Sequence, residues 1–109
     1  DMDDRVRRLS AVADIAQGRA TAALADHRAR VRDVENRIAA LRQEADPAAP
    51  DAYTAFGGHA ARAAWRHRQL CLMNVTLADL RSRAEGIERA AALATARAEV
   101  ARRLLEDRK

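Results

Sequence analysis

Apolar positions along this chain fall on a seven-residue rhythm that appears twice, on either side of one Pro/Gly-containing break. In the second half, Leu70, Met73, Leu77, Leu80, Ala84, Ile87, Ala91, Ala94, Ala98, Ala101 and Leu105 alternate in steps of three and four. In the first half, Leu24, Val31, Val34, Ile38, Leu41 and Ala45 keep the same spacing, with His27 at the one polar position. Such a repeat is a coiled-coil seam, because about 3.5 residues per turn keeps one stripe facing a partner helix. Two seams joined by a short break predict an all-α fold, an antiparallel two-helix coiled-coil hairpin with a Pro/Gly-containing mid-chain loop.

The elements follow from local signals. Helix one is expected over 3–45, opened by acids that suit the positive end of its dipole. At its start, Val6, Leu9, Val12, Ala13, Ala16 and Ala20 form a stripe about one position out of phase with the later heptads, which reads as a stutter or a change in packing mode. Asp46 precedes Pro47, and a residue before proline avoids the α region. The loop is expected over 46–58, with a short turn at Asp51–Phe56, and helix two over 59–107. An earlier start at Asp51, a good N-cap, is the alternative. The whole, 1–109, reads as a single helical-hairpin domain.

Composition supports a thin seam over a thick core. Hydrophobic residues make up 49% of the 109 residues, but much of that is alanine, with one Trp, one Tyr and one Phe. No run of eighteen apolar residues suggests a membrane span. The acidic start carries no apolar leader-like run, and a lone cysteine, Cys71, cannot form an internal disulfide. A cytoplasmic protein is the expectation.

Charge narrows the partner class. The net charge is +4, which first suggests nucleic acid. Yet acids precede arginines by four residues at Asp1–Arg5, Asp4–Arg8, Asp26–Arg30, Asp33–Arg37, Asp79–Arg83, Glu85–Arg89 and Glu99–Arg103. Such pairs make a solvated helix face. The excess lies in the second half, mainly at Arg62, Arg66, Arg68, Arg81 and Arg83, without a series of interleaved aromatics to stack bases, Trp65 alone standing among them. A patch for an acidic protein partner fits better than nucleic acid.

Candidate chemistry is sparse. His67 and Cys71 are four apart, a workable ligand pair, and His59 is near in sequence, but a tetrahedral metal site needs more. The expectation is no metal and no cofactor. Neither a Ser/His/Asp set nor a phosphate-binding glycine loop stands out, so no enzyme activity is expected. The feature that the seam leaves unexplained is a surplus of apolar and basic side chains toward the loop. Tyr53, Phe56, Trp65, Arg66, Arg68, Leu72 and Val75 are therefore the candidate partner-binding residues; the alternative is that the loop folds back to cover this patch. A second off-seam stripe, Leu93, Val100 and Leu104, either binds another subunit or widens the core face.

The opening Arg7-Arg8-Leu9-Ser10-Ala11-Val12-Ala13-Asp14-Ile15, the mid-chain break, and Trp65-Arg66-His67-Arg68-Gln69-Leu70 ahead of an Ala/Arg/Glu-rich coil resemble the FliJ/YscO-type proteins of bacterial flagellar and type III secretion export. That resemblance implies a cytoplasmic antiparallel coiled coil that docks an export ATPase, an export gate or substrate chaperones. A fainter resemblance, to small secreted WXG-type hairpins, rests on Phe56-Gly57-Gly58, and the Arg-rich character opposes it. Two other readings stand beside the export adaptor. One is a structural coiled coil forming a homodimeric four-helix bundle; the other is a basic nucleic-acid-associated hairpin.

Overall fold

The computed structural model describes residues 1–44 and 57–108. It contains two long helices, α1 (Met2–Gln43) and α2 (Gly58–Glu106), and no strand among the described residues. The chain is an all-α antiparallel helical hairpin. Most of the expected loop, with Tyr53 and Phe56, lies outside the described residues, as does the alternative start at Asp51.

Both helices begin with defined caps. The backbone N–H of Asp3 donates to the Asp1 carboxylate at 2.7 Å, and Arg5 N–H donates to the Asp1 carbonyl at 3.2 Å. Asp1 thus acts as the N-cap of α1. Ahead of α2, the Gly57 carbonyl accepts from Ala61 N–H at 3.1 Å, and Gly57 has φ +84°. That left-handed backbone is why a glycine stands there.

This distinction gives a test by sign. A Cβ at Gly57, Gly18 or Gly86 would meet nothing within 4 Å, so only backbone conformation decides the outcome. Gly57→Ala should cost ~1–2 kcal/mol, because the left-handed conformation crowds a Cβ. Gly18→Ala and Gly86→Ala, inside helices, should each stabilise by ~0.5–1 kcal/mol. Urea unfolding followed by circular dichroism checks all three; a stabilising Gly57→Ala would refute the cap geometry.

The chain divides into two compact units. The central unit, Arg30–Ser82, holds a cluster of buried large aliphatics. Val34, Ile38 and Leu77 are buried there, with Val31, Leu70, Met73 and Leu80 packed against them. These are the residues on which the two heptad stripes were drawn.

The terminal unit, Asp1–Ala29 with Arg83–Lys109, is built differently. Its α2 side presents Ala91, Ala98 and Ala101, all buried, and Ala98 is wholly inaccessible. On α1, burial or partial burial runs Val6, Ser10, Ala13, Gln17, Ala20, Leu24 and His27. Those steps alternate four and three without a break, in phase with Val31, Val34 and Ile38. Of the two expectations, the stutter is absent and the packing mode changes. The seam stays in register, and polar Ser10, Gln17 and His27 occupy positions where an apolar scan finds nothing. Leu9 and Val12, assigned to the core stripe by that scan, are 53% and 63% exposed. The physical reason is heptad phase. Ala98 and Ala101 face a seam that continues through Ser10 and Ala13, and the unbroken frame puts Leu9 and Val12 on its flank.

Two polar contacts tie the terminal unit across the seam and fix its antiparallel register. Gln17 Nε2 donates to Thr95 Oγ1 at 3.4 Å, and Arg108 Nη1 donates to Asp3 Oδ1 at 3.1 Å.

Candidate interaction surfaces

Among the described residues, two apolar surfaces remain outside the seams, one in each unit. In the central unit, Trp65, Arg68, Leu72 and Val75 follow one another by three, four and three residues. They make a stripe along one face of α2 alone. Leu72 is 58% and Val75 70% exposed, while Trp65 is at the edge of exposure. The Arg62 guanidinium lies over the Trp65 ring at 4.1 Å, a cation–π contact that covers part of the indole.

Arg66 is occupied within the fold. Glu44, the residue after α1, receives a fork from Arg62: Nε donates to Oε2 at 3.0 Å and Nη2 to Oε1. Arg66 Nη1 donates to the Glu44 backbone carbonyl at 3.2 Å and lies 3.6 Å from its carboxylate. That carbonyl belongs to the orphan acceptors at a helix C-terminus, so Arg66 caps α1 from the opposite helix. The Arg62 hydrogen bonds, aided by the charges of both arginines, hold the Glu44 carboxyl below the usual glutamate range against a smaller opposing effect of desolvation.

Thus the structure brings Trp65, Arg68, Leu72 and Val75 to one helix face, engages Arg66 with Glu44, and leaves Tyr53 and Phe56 outside the described residues. His67 Nε2 and Cys71 Sγ lie 3.7 Å apart on α2, and among the described residues no three His, Cys, Asp or Glu side chains gather for a metal ion. No helix among the described residues is long and apolar enough to cross a membrane. Of the anticipated within-helix ion pairs, Asp33–Arg37, Glu85–Arg89 and Glu99–Arg103 form at 3.3, 2.6 and 2.7 Å, while Asp4 turns to Arg7 instead of Arg8. All are exposed and contribute little to stability.

The second surface, in the terminal unit, draws on both helices. Leu9, Val12 and Ala16 of α1 face Arg97, Val100 and Leu104 of α2 across a groove of about 500 Å³. Arg97 is the one charged residue on its walls; the others are aliphatic. A shallower hollow continues along α1 past Val12, Ile15 and Arg19. Val100 and Leu104 were visible in the sequence as an off-seam stripe. Leu9 and Val12, the opposite wall, were hidden by their assignment to the core. The signal that could have found them is the unbroken heptad frame carried back from Leu24 to Val6, which places both outside the seam.

Compared with known protein families, curated proteins and solved structures, the chain matches none.

Proposed function

We propose that this chain is a non-enzymatic coiled-coil adaptor that works by docking other proteins along its helical surfaces, within a bacterial flagellar or type III export apparatus. The observation that carries the docking part is the terminal groove: large aliphatics on two adjacent helices, turned out of the seam and left in water. Contiguous apolar surface of this kind marks an interaction site in a water-exposed protein. The export part rests on the FliJ/YscO-type resemblance, whose members place a hairpin of this kind against an ATPase ring, a gate or chaperones.

A homodimeric four-helix bundle is the second reading, because two such grooves could in principle cover each other. Sedimentation at micromolar concentration separates the two. The adaptor predicts a monomer or weak self-association; a tight dimer broken by Leu9→Asp with Leu104→Asp would establish the bundle instead. The export assignment is tested by affinity capture from bacterial cytosol with wild-type and doubly substituted protein. An export ATPase retained by the first and lost by the second is the expected result. Capture without any export component would remove the assignment.

A further inference from the structure

We infer that the terminal groove binds an acidic amphipathic helix of a partner protein. The inference deepens the adaptor reading and rests on its docking part. Shape is the first observation. The walls, Leu9, Val12 and Ala16 against Val100 and Leu104, enclose a concave trough. A trough between two helices accepts the apolar ridge of a third, by the same knobs-into-holes packing that closes the seam. A lipid surface calls for a convex apolar edge instead.

Charge is the second observation. Arg97 lines the groove, and Arg19 lines the hollow that continues it. Arg5 and Arg8 stand four residues before Leu9 and Val12, one turn along the same faces of α1. All four are exposed, and among the described residues none of their side chains makes an ion pair or hydrogen bond. Elsewhere Arg37, Arg89 and Arg103 each hold a carboxylate, whereas Arg97 and Arg19 line apolar hollows without one. Three acids, Asp1 and Asp4 a turn before Arg5 and Arg8 and Asp107 a turn beyond Leu104, stand at the terminal mouth of the groove, away from Arg19 and Arg97. The trough is thus apolar along its walls, with Arg97 and Arg19 as the charges that line it. The groove walls of a second copy hold no carboxylate to meet Arg97. The complementary occupant carries apolar residues at i, i+4 and i+7 with Asp or Glu on both sides of them.

The walls run from Leu9 to Ala16 and from Arg97 to Leu104, about two helical turns, or roughly 10 Å at ~1.5 Å per residue. That suits three anchor residues.

The test uses the full chain and two labelled synthetic helices with leucines at i, i+4 and i+7. One carries flanking glutamates and the other flanking lysines, and binding is read by fluorescence anisotropy. Saturable binding of the glutamate helix is expected, weakening with added salt. The lysine helix should bind at least about tenfold more weakly, and Arg19→Glu with Arg97→Glu should cost the glutamate helix about tenfold. Val12→Asp with Val100→Asp should abolish binding. Circular dichroism accompanies each variant, and the arginine pair, which supports no packing, keeps the test decisive if the aspartate pair disturbs folding. Equal binding of both helices, no saturable binding of the glutamate helix, or indifference to the arginine reversals would overturn the inference. So would displacement of the glutamate helix by phosphatidylserine vesicles. Failure here alongside groove-dependent capture of an export ATPase would leave the adaptor reading intact. Success here without such capture would remove only the export assignment.

Discussion

Ile38→Ala is expected to destabilise the protein by about 2–4 kcal/mol, the cost of a large-to-small change in a packed core. Ile38 is 6% exposed and sits in the cluster with Val34 and Leu77, closed by Val31, Leu70, Met73 and Leu80. Removing its side chain opens a cavity that the neighbours fill only in part. A two-helix seam is open at its flanks, so relaxation and water entry should keep the loss toward the lower end of that range. Leu72→Ala is the matched control. Leu72 lies on the same α2 as Leu77 but on its outer face, so its truncation should change stability by less than about 0.5 kcal/mol. Urea unfolding monitored at the helix band measures both. Equal losses for the two would mean that the central seam is not where the burial places it.

The same contrast explains what the sequence makes legible. On α2 every seam position from Leu70 to Leu105 is apolar, so the heptad could be read without ambiguity. The central part of α1 is similar, through Val31, Val34 and Ile38. Toward the start of α1 the rule that large aliphatics go inside fails. Opposite Ala91, Ala98 and Ala101 the seam has space for Ser10, Ala13 and Gln17, and Leu9 and Val12 are displaced to the flank. Heptad phase, not polarity, decides which residues face the seam there. The groove was therefore half visible, through Val100 and Leu104, and half miscounted as core. The loop-proximal surface shows the converse. Trp65, Leu72 and Val75 could be recognised as off-seam from their spacing, but nothing local marks Arg66 as the cap for Glu44. That contact depends on the pairing of α1 with α2, a long-range fact that residue spacing within either helix does not contain.

His27→Leu is expected to stabilise the protein, by about 1–3 kcal/mol, the penalty of a buried polar atom left without a partner. His27 is 7% exposed in the terminal unit, and its Nε2 is buried without a hydrogen bond. It occupies a seam position in the unbroken frame, where every neighbouring seam residue on its own helix, Ala20, Leu24, Val31 and Val34, is aliphatic. Leucine has similar bulk, removes the unpaired nitrogen and adds apolar contact. In the register fixed by Gln17–Thr95 and Asp3–Arg108, position 27 falls opposite Ala84, so the added branch has a small residue across from it. Thermal unfolding should show the gain as a midpoint raised by several degrees, on the order of 4–8 °C per kcal/mol for a domain of this size. A lowered midpoint would place a partner on the imidazole that the fold does not reveal. Retention of so costly a group is best explained by register. Ala91 and Ala94 repeat as Ala98 and Ala101 one heptad on, so within that stretch of α2 only Ile87 and Leu105 at its ends oppose a slip by one heptad. A polar side chain at a seam position penalises wrong alignments at some expense in stability. His27→Leu combined with Gln17→Leu should then be more stable yet less uniquely aligned. Paramagnetic labels placed at positions 12 and 100 would detect that as a broadened distance distribution, while a distribution as narrow as that of the parent chain would remove the register role from His27.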